Sequence, residues 1–172
     1  MSGYDVQVIG VDCCLIDIRS DRDGRPALAE TLGMALPAAT GHCTTDGHRH
    51  LMRLSPDHWL YSSTDAANEA LVARLNGAFS GCHALATLVT DQYAEFRLEG
   101  RDVLDVLCQG VSMDLSPDRF GPGQCAACAF ARIRAVLLPL EPGRCYQVYV
   151  ESSLGEHVAE WLNRAIGGRG AA

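Results

Sequence analysis

The stretch DQYAEFRLEGRDVLDVLCQG, residues 91–110, contains a complete strand-to-helix transition and decides the fold class. In its first half, Ala94, Phe96 and Leu98 alternate with charged residues, the pattern of a strand that buries one face. After Gly100 the apolar residues recur at helical spacing instead. The stretch therefore predicts a strand followed directly by a short helix.

The sequence also predicts the positions of two residues at the end of this helix, Cys108 and Gly110. Its apolar face comprises Val103, Leu104, Leu107 and Cys108. We therefore expect Cys108 in the core, and we expect Gly110 to take the left-handed conformation that often ends a helix.

The same order of elements is found on both sides of this stretch. Further strands are predicted at 5–20, 49–55, 58–63, 84–90, 125–140 and 144–152, and further helices at 25–37, 63–79 and 153–168. Strand, helix, strand, strand, helix thus occurs twice. This predicts an α+β fold of two split βαβ (ferredoxin-like) halves, about 5–90 and 91–168, with helices packed on antiparallel sheets. We expect residues 1–172 to form a single domain of these two halves.

Composition excludes several classes of partner. Hydrophobic residues make up 48% of the chain, and the formal charge is −7. A packed, acidic globule without a basic stripe does not favour nucleic acid or anionic membrane as a partner. No apolar run approaches the length of a membrane span, and the N-terminus shows no signal-type segment. These features predict a cytoplasmic protein whose eight cysteines stay reduced.

Cys125 and Cys128 have the spacing of a zinc knuckle or a redox dithiol. On an extended strand, residues three apart point to opposite faces, whereas a shared metal needs both sulfurs at one point. We favour two small packing residues, and we keep a zinc or redox module as an alternative.

A second candidate cluster is GHCTTDGHRH, residues 41–50, in which Cys43 and His48 could complete a four-ligand site with Cys125 and Cys128. The favoured interpretation is a polar surface loop. No nucleophile and base stand in a recognisable motif, and no G-x-G-x-x-G segment follows a strand. The sequence therefore predicts no catalytic and no cofactor-binding residue on this chain.

Trp59 and Trp161 stand at corresponding places in the two halves. Each is interpreted either as a core residue or as an anchor for a partner protein, since tryptophan is enriched at interfaces.

Four segments together resemble a known family, the gamma subunit of heterotetrameric sarcosine oxidase. They are LGMALP (32–37), RLSPDHWLYSS (53–63), VTDQYAEFRLEGRDVLDVLCQGVSMDLSPDRFGPGQCA (89–126) and ESSLGEHVAEWLNRA (151–165). Three positions depart from the family pattern: Ser55 for a glycine, His58 for an acid, and Cys128 where threonine is usual.

The resemblance implies the fold of the folate-binding domain of the glycine-cleavage T-protein. It also implies a non-catalytic subunit that serves assembly and stability in an oxidoreductase acting on CH–NH bonds. That complex demethylates sarcosine oxidatively, and the one-carbon unit passes to tetrahydrofolate. FAD, FMN, NAD, tetrahydrofolate and zinc are then expected on other subunits. The implied partners are the alpha, beta and delta subunits, chiefly the large alpha subunit, and we expect an apolar partner-facing surface that makes the isolated chain self-associate.

Two alternatives follow from the same resemblance. The complex could act on another N-methyl amino acid, N-methylglutamate or dimethylglycine. The chain could instead be a stand-alone folate-binding protein, although FGPGQCAAC (120–128) lacks the Lys, Tyr and Glu of the segment that such proteins carry there.

Overall fold

The computed structural model describes residues 3–65 and 69–168. The chain divides into two compact units. One, the inserted unit, is the continuous segment Asp12–Thr90. The other, the flanking unit, combines Met1–Val11 with Asp91–Ala172.

Residues 3–65 and 69–168 form ten strands and four helices. The strands are β1 (Gln7–Gly10), β2 (Cys14–Ser20), β3 (Cys43–Asp46), β4 (Arg49–Ser55), β5 (His58–Ser63), β6 (Ala84–Leu88), β7 (Tyr93–Glu99), β8 (Ala126–Phe130), β9 (Ile133–Glu141) and β10 (Cys145–Glu151). The helices are α1 (Arg25–Leu32), α2 (Glu69–Ala78), α3 (Val103–Leu107) and α4 (Gly155–Gly167).

The two units have the same sheet topology. The inserted unit has the order β6-β2-β5-β4-β3, and the flanking unit has the order β1-β7-β10-β9-β8. Neighbouring strands pair antiparallel throughout. The predicted α+β class with repeated sheet-and-helix units is therefore confirmed.

One strand lies outside the predicted half. The sequence places residues 5–10 in the first half, whereas β1 pairs with β7 in the sheet of the flanking unit, with Val8 opposite Leu98. In the topology, β1 occupies the position that β6 occupies in the inserted unit. The flanking unit is therefore completed by the start of the chain.

In the inserted unit, α1 and α2 pack with one face of the sheet. The core there contains Ile16, Ile18, Leu28, Leu32, Leu51, Trp59, Tyr61, Leu75 and Phe79. Helix α1 has Pro26 in its first turn and ends at Gly33, whose φ is 63°. The prediction that Pro37 ends this helix is wrong, because Gly33 takes the left-handed conformation four residues earlier. The predicted start of α2 falls partly on 66–68, outside the described residues.

In the flanking unit, α3 and α4 cover the corresponding face. The core contains Leu98, Val103, Val106, Leu107, Phe130, Leu137, Tyr146, Val148, Val158 and Leu162. Cys108 is exposed, so its predicted core position is wrong: α3 ends at Leu107, and Val106 takes the buried place.

Two hairpins differ from the sequence prediction. The predicted strand 125–140 is two strands, β8 and β9, because Ala131 and Arg132 turn the chain with φ values of 48° and 69°. The segment interpreted as a polar surface loop contains β3, which pairs with β4 across a turn at Gly47, φ 60°. Both turns use the left-handed backbone that two-residue hairpins require.

Within the described ranges, 3–65 and 69–168, no helix has the length and apolar character needed to cross a bilayer.

Candidate functional site

The predicted cysteine pair lies at the edge of the flanking sheet. Cys125 is buried just before β8, and the Cys128 side chain, on β8, packs against the core that contains Phe130. Burial raises the pKa of the Cys128 thiol above its ordinary value. A protonated, half-buried thiol is a poor nucleophile and a poor metal ligand. The geometry of Cys128 thus corresponds to the packing interpretation.

The other two candidate ligands, Cys43 and His48, lie in the inserted unit. Cys43 is buried on β3, and this burial raises the pKa of its thiol to about 11, despite a contact with Thr45. The His48 Nε2 is instead 2.9 Å from the Asp65 carboxylate at the surface. Among residues 3–65 and 69–168, no group of three or more His, Cys, Asp or Glu side chains is arranged to hold a metal ion.

Trp59 lies in the core of the inserted unit with no exposed surface. The guanidinium groups of Arg25 and Arg53 lie over its ring at 5.7 and 5.5 Å from the centroid. Both arginines also donate to the carbonyl of Pro56, at 2.9 and 3.0 Å. The Trp59 ring is therefore buried beneath two guanidinium groups and packs within the core of its unit.

Trp161 lies on α4 and keeps part of its indole exposed. Its ring meets Phe130 edge-on, with 5.0 Å between the centroids and a 73° interplanar angle. A methyl group added at Gly110 would be 2.8 Å from Trp161 Cη2, so only glycine fits at this position. Together with Gln109, Arg164 and Ala165, the indole lines an open depression on the helix side of the unit.

Two buried polar pairs were not predicted from the sequence. In the inserted unit, His58 Nε2 donates to Asp17 Oδ2 at 2.5 Å, and Arg19 Nε lies 3.4 Å from Asp17 Oδ1. In the flanking unit, Gln147 Nε2 donates to Glu95 Oε2 at 3.1 Å. Each pair joins neighbouring strands on the sheet face opposite the helices.

The Asp17 carboxylate is held ionised by these partners. Burial alone would raise the pKa of Asp17, but the hydrogen bond and charge of His58, together with Arg19, lower it below its ordinary value. Both carboxylate oxygens have partners in the same unit. The arrangement fixes β2 against β5, and the available sequence signal was the acid at position 17 between the apolar residues Ile16 and Ile18.

The fold and these sites define an α+β protein of two sheet-and-helix units with the same topology, each with a buried polar pair between neighbouring strands. The model of the sarcosine oxidase gamma subunit family matches residues 20–167, and the chain belongs to that family.

Relatives and solved structures agree with this assignment. The chain is 29% identical over 144 residues to sarcosine oxidase subunit gamma of Corynebacterium sp. (strain U-96), a match covering 83% of this chain and 69% of the relative. It superposes with a TM-score of 0.90 and 25% identity on a chain of the heterotetrameric sarcosine oxidase from Corynebacterium sp. U-96, solved in complex with pyrrole 2-carboxylate. That match covers 100% of this chain and 89% of the other.

A third comparison concerns the fold alone. The glycine cleavage system aminomethyltransferase T from Bartonella henselae superposes with a TM-score of 0.63 at 13% identity, over 94% of this chain and 46% of that one. The predicted T-protein-like fold is thus confirmed.

Proposed function

We propose that this chain is a non-catalytic gamma subunit of a heterotetrameric sarcosine oxidase-type complex and serves the assembly and stability of that complex. One observation carries the proposal: the whole chain superposes with a TM-score of 0.90 on a chain of a heterotetrameric sarcosine oxidase. The complex demethylates sarcosine oxidatively and passes the one-carbon unit to tetrahydrofolate.

The polar groups of the chain support a structural role. The carboxylates of Asp17 and Glu95 are engaged by His58 and Gln147 on neighbouring strands of their own sheets. Groups held in this way join strands and are not presented to a substrate. FAD, FMN, NAD, tetrahydrofolate and zinc therefore belong to the other subunits in this proposal.

The exposed surface of the chain favours polar contacts with the other subunits. Among the described residues, the exposed large hydrophobic side chains are Ile9 and Leu85. This differs from the apolar partner-facing surface expected from the sequence, and we now expect the isolated chain to remain monodisperse. The partners are the alpha, beta and delta subunits, chiefly alpha, and the surfaces offered to them include the exposed part of Trp161 and exposed arginines. All eight cysteines are free thiols, which suits a cytoplasmic complex.

Co-expression of the chain with the alpha, beta and delta subunits tests the proposal. We expect a single stoichiometric particle that oxidises sarcosine faster than dimethylglycine or N-methylglutamate. Omission of this chain should lower the yield and thermal stability of the particle, while the remaining particle keeps its turnover per flavin. Failure to co-purify would overturn the proposal, and a faster reaction with dimethylglycine or N-methylglutamate would reassign the substrate.

A titration with tetrahydrofolate tests the alternative of a stand-alone folate-binding protein. We expect no saturable binding by the isolated chain, measured by calorimetry. Micromolar binding would favour that alternative instead.

A further inference from the structure

The outer edge of β8 is an open strand edge without charged side chains. Strand β8 is the last strand in its sheet and reads Ala-Ala-Cys-Ala-Phe. Ala131 N–H donates outward to the carbonyl of Gly110 at 3.0 Å, and the β8–β9 turn makes Phe130 and Ile133 neighbours. Because backbone groups alternate in direction along a strand, the N–H and C=O of Ala127 also point outward. Across Ala126–Cys128 no described strand pairs with this edge.

The other sheet edges carry protection that the Ala126–Cys128 part of β8 lacks, whereas Val111 pairs with Phe130 at the end of this strand. On β6 the central residue, Ala86, has both backbone groups bonded by the carboxamide of Asn76. Strand β3 ends in Asp46, which pairs with Arg49, and β1 is only 4 residues long. Natural proteins use such capping groups, charges and short lengths to prevent edge pairing. The β8 edge is built from small residues, and a strand could approach it closely.

Two exposed arginines lie beside this edge. Arg132 is at the tip of the β8–β9 hairpin, and Arg134 on β9 is directly opposite Ala129. Both side chains are exposed, and neither has an ion pair with a described residue. The chain as a whole has a formal charge of −7, but these two side chains are positive. A strand that binds at this edge would therefore be favoured if it carried acidic side chains.

We propose that β8 is a docking strand, onto which another subunit of the complex adds an extended segment that carries Asp or Glu side chains. Backbone bonds to Ala127 would supply the pairing, and Arg132 and Arg134 would select acidic side chains. A second copy of this chain is a poorer occupant, because pairing two β8 edges would bring the same arginines together. The inference rests on the proposed function, since the complex is what supplies the segment.

Hydrogen exchange at single-amide resolution is the first test. The free chain and the assembled complex are compared, and we expect the amide of Ala127 to exchange at least tenfold more slowly in the complex. Equal exchange in both states would overturn the inference. If exchange in the free chain is slow and becomes slower as the protein concentration rises, a second copy of the chain pairs with this edge. That result would also overturn the inference.

Substitutions on the edge are the second test. Ala127→Pro removes an outward N–H without removing a β8–β9 bond, whereas Ala127→Val keeps that N–H and is the matched control. We expect incorporation of the proline variant into the complex to fall at least tenfold, and that of the valine variant to equal wild type. The double variant R132E/R134E should also lose at least tenfold and should regain part of this at high salt.

The outcomes separate the two proposals. If the wild-type chain does not assemble at all, the proposed function has failed. If it assembles and the proline and double variants assemble equally well, only the docking strand is wrong. If the proline variant shows no thermal transition and is therefore unfolded, the double variant and the exchange rates still test the docking strand.

Discussion

The carboxamide of Asn76 on α2 pairs with both backbone groups of Ala86 on β6. Its Nδ2 donates to the Ala86 carbonyl at 2.9 Å, and its Oδ1 accepts from the Ala86 N–H at 2.8 Å. The side chain thus takes the place of a neighbouring strand at this edge, and it joins helix and sheet at the same point.

Asn76→Asp should destabilise the protein through this contact. Aspartate can still accept from the Ala86 N–H, but it cannot donate to the buried carbonyl, so an acceptor is left unsatisfied. We expect a loss of about 1–3 kcal/mol in the free energy of unfolding, measured by urea denaturation at pH 7. Asn163→Asp makes the same chemical change at an exposed position of α4, and it should stay within about 0.5 kcal/mol of wild type. Equal effects of the two substitutions would show that the Asn76 contact is not stabilising.

Gly110→Ala should destabilise the flanking unit by overpacking. The added Cβ would lie 2.8 Å from Trp161 Cη2 and 3.0 Å from Phe130 Cε2. Phe130 is fully buried and its ring packs edge-on against Trp161, so the added methyl group would overpack this contact, and we expect a cost of about 1–3 kcal/mol. Gly77→Ala on α2 is the matched control, because no atom lies within 4 Å of the added Cβ.

That control should be neutral or stabilising by up to about 1 kcal/mol, since alanine is the better helix former. Urea denaturation measures both variants. A Gly110→Ala variant as stable as wild type would mean that the Trp161 and Phe130 rings can move apart enough to accept the added methyl group.

How much of this the sequence could predict depends on the range of the interactions. The alternation in β7 and the stripe on α4 are local patterns, and both elements were predicted. The β8–β9 turn was missed because Ala131 and Arg132 are not residues typical of left-handed turns. The β3 turn was missed although Asp46-Gly47 is a hairpin signal.

The remaining misses concern the partners of residues, not their local structure. The pattern of β1 is that of a strand in either sheet, so nothing local shows that it pairs with β7. The contact between Asp17 and His58 joins residues 41 positions apart, and it exists only once β2 and β5 are in register. The helix predicted to begin at Ser153 begins at Gly155 instead, and the Ser153 hydroxyl donates to Glu151.

We propose that the two units unfold as one domain. The inserted unit interrupts the flanking unit between β1 and β7, and the 3-10 turn Thr90–Gln92 spans the second boundary without a linker. We expect fluorescence and circular dichroism to give one coincident urea transition. Two separated transitions would contradict this, and the intermediate would then show which unit unfolds first.

Asp17→Asn should reduce the acid sensitivity of the protein. The pKa of Asp17 is lowered in the folded state, so its ionised form contributes stability above the unfolded value of about 3.9. That contribution is lost as the pH falls through the folded pKa. Between pH 6 and pH 2.5, the urea midpoint of wild type should therefore fall further than that of the variant. Asp118→Asn, an exposed carboxyl between α3 and β8, should leave the wild-type profile unchanged.

The thiols should react in an order set by burial. The pKa of Cys108 is raised by partial burial and by the charges of Asp105 and Asp114, but this thiol is exposed, whereas Cys43 is buried with a pKa of about 11 and Cys128 is half-buried with a raised pKa. Because the reagent must also reach the sulfur, iodoacetamide at pH 8 should alkylate Cys108 before Cys43 and Cys128, which should stay unmodified until the protein is denatured. Mass spectrometry of peptides after a timed reaction measures this order.

Cys128→Ala should also retain the fold, and anaerobically purified wild type should contain far less than one zinc per chain. One zinc per chain that is lost in Cys128→Ala would revive the metal site and contradict the packing role of this residue.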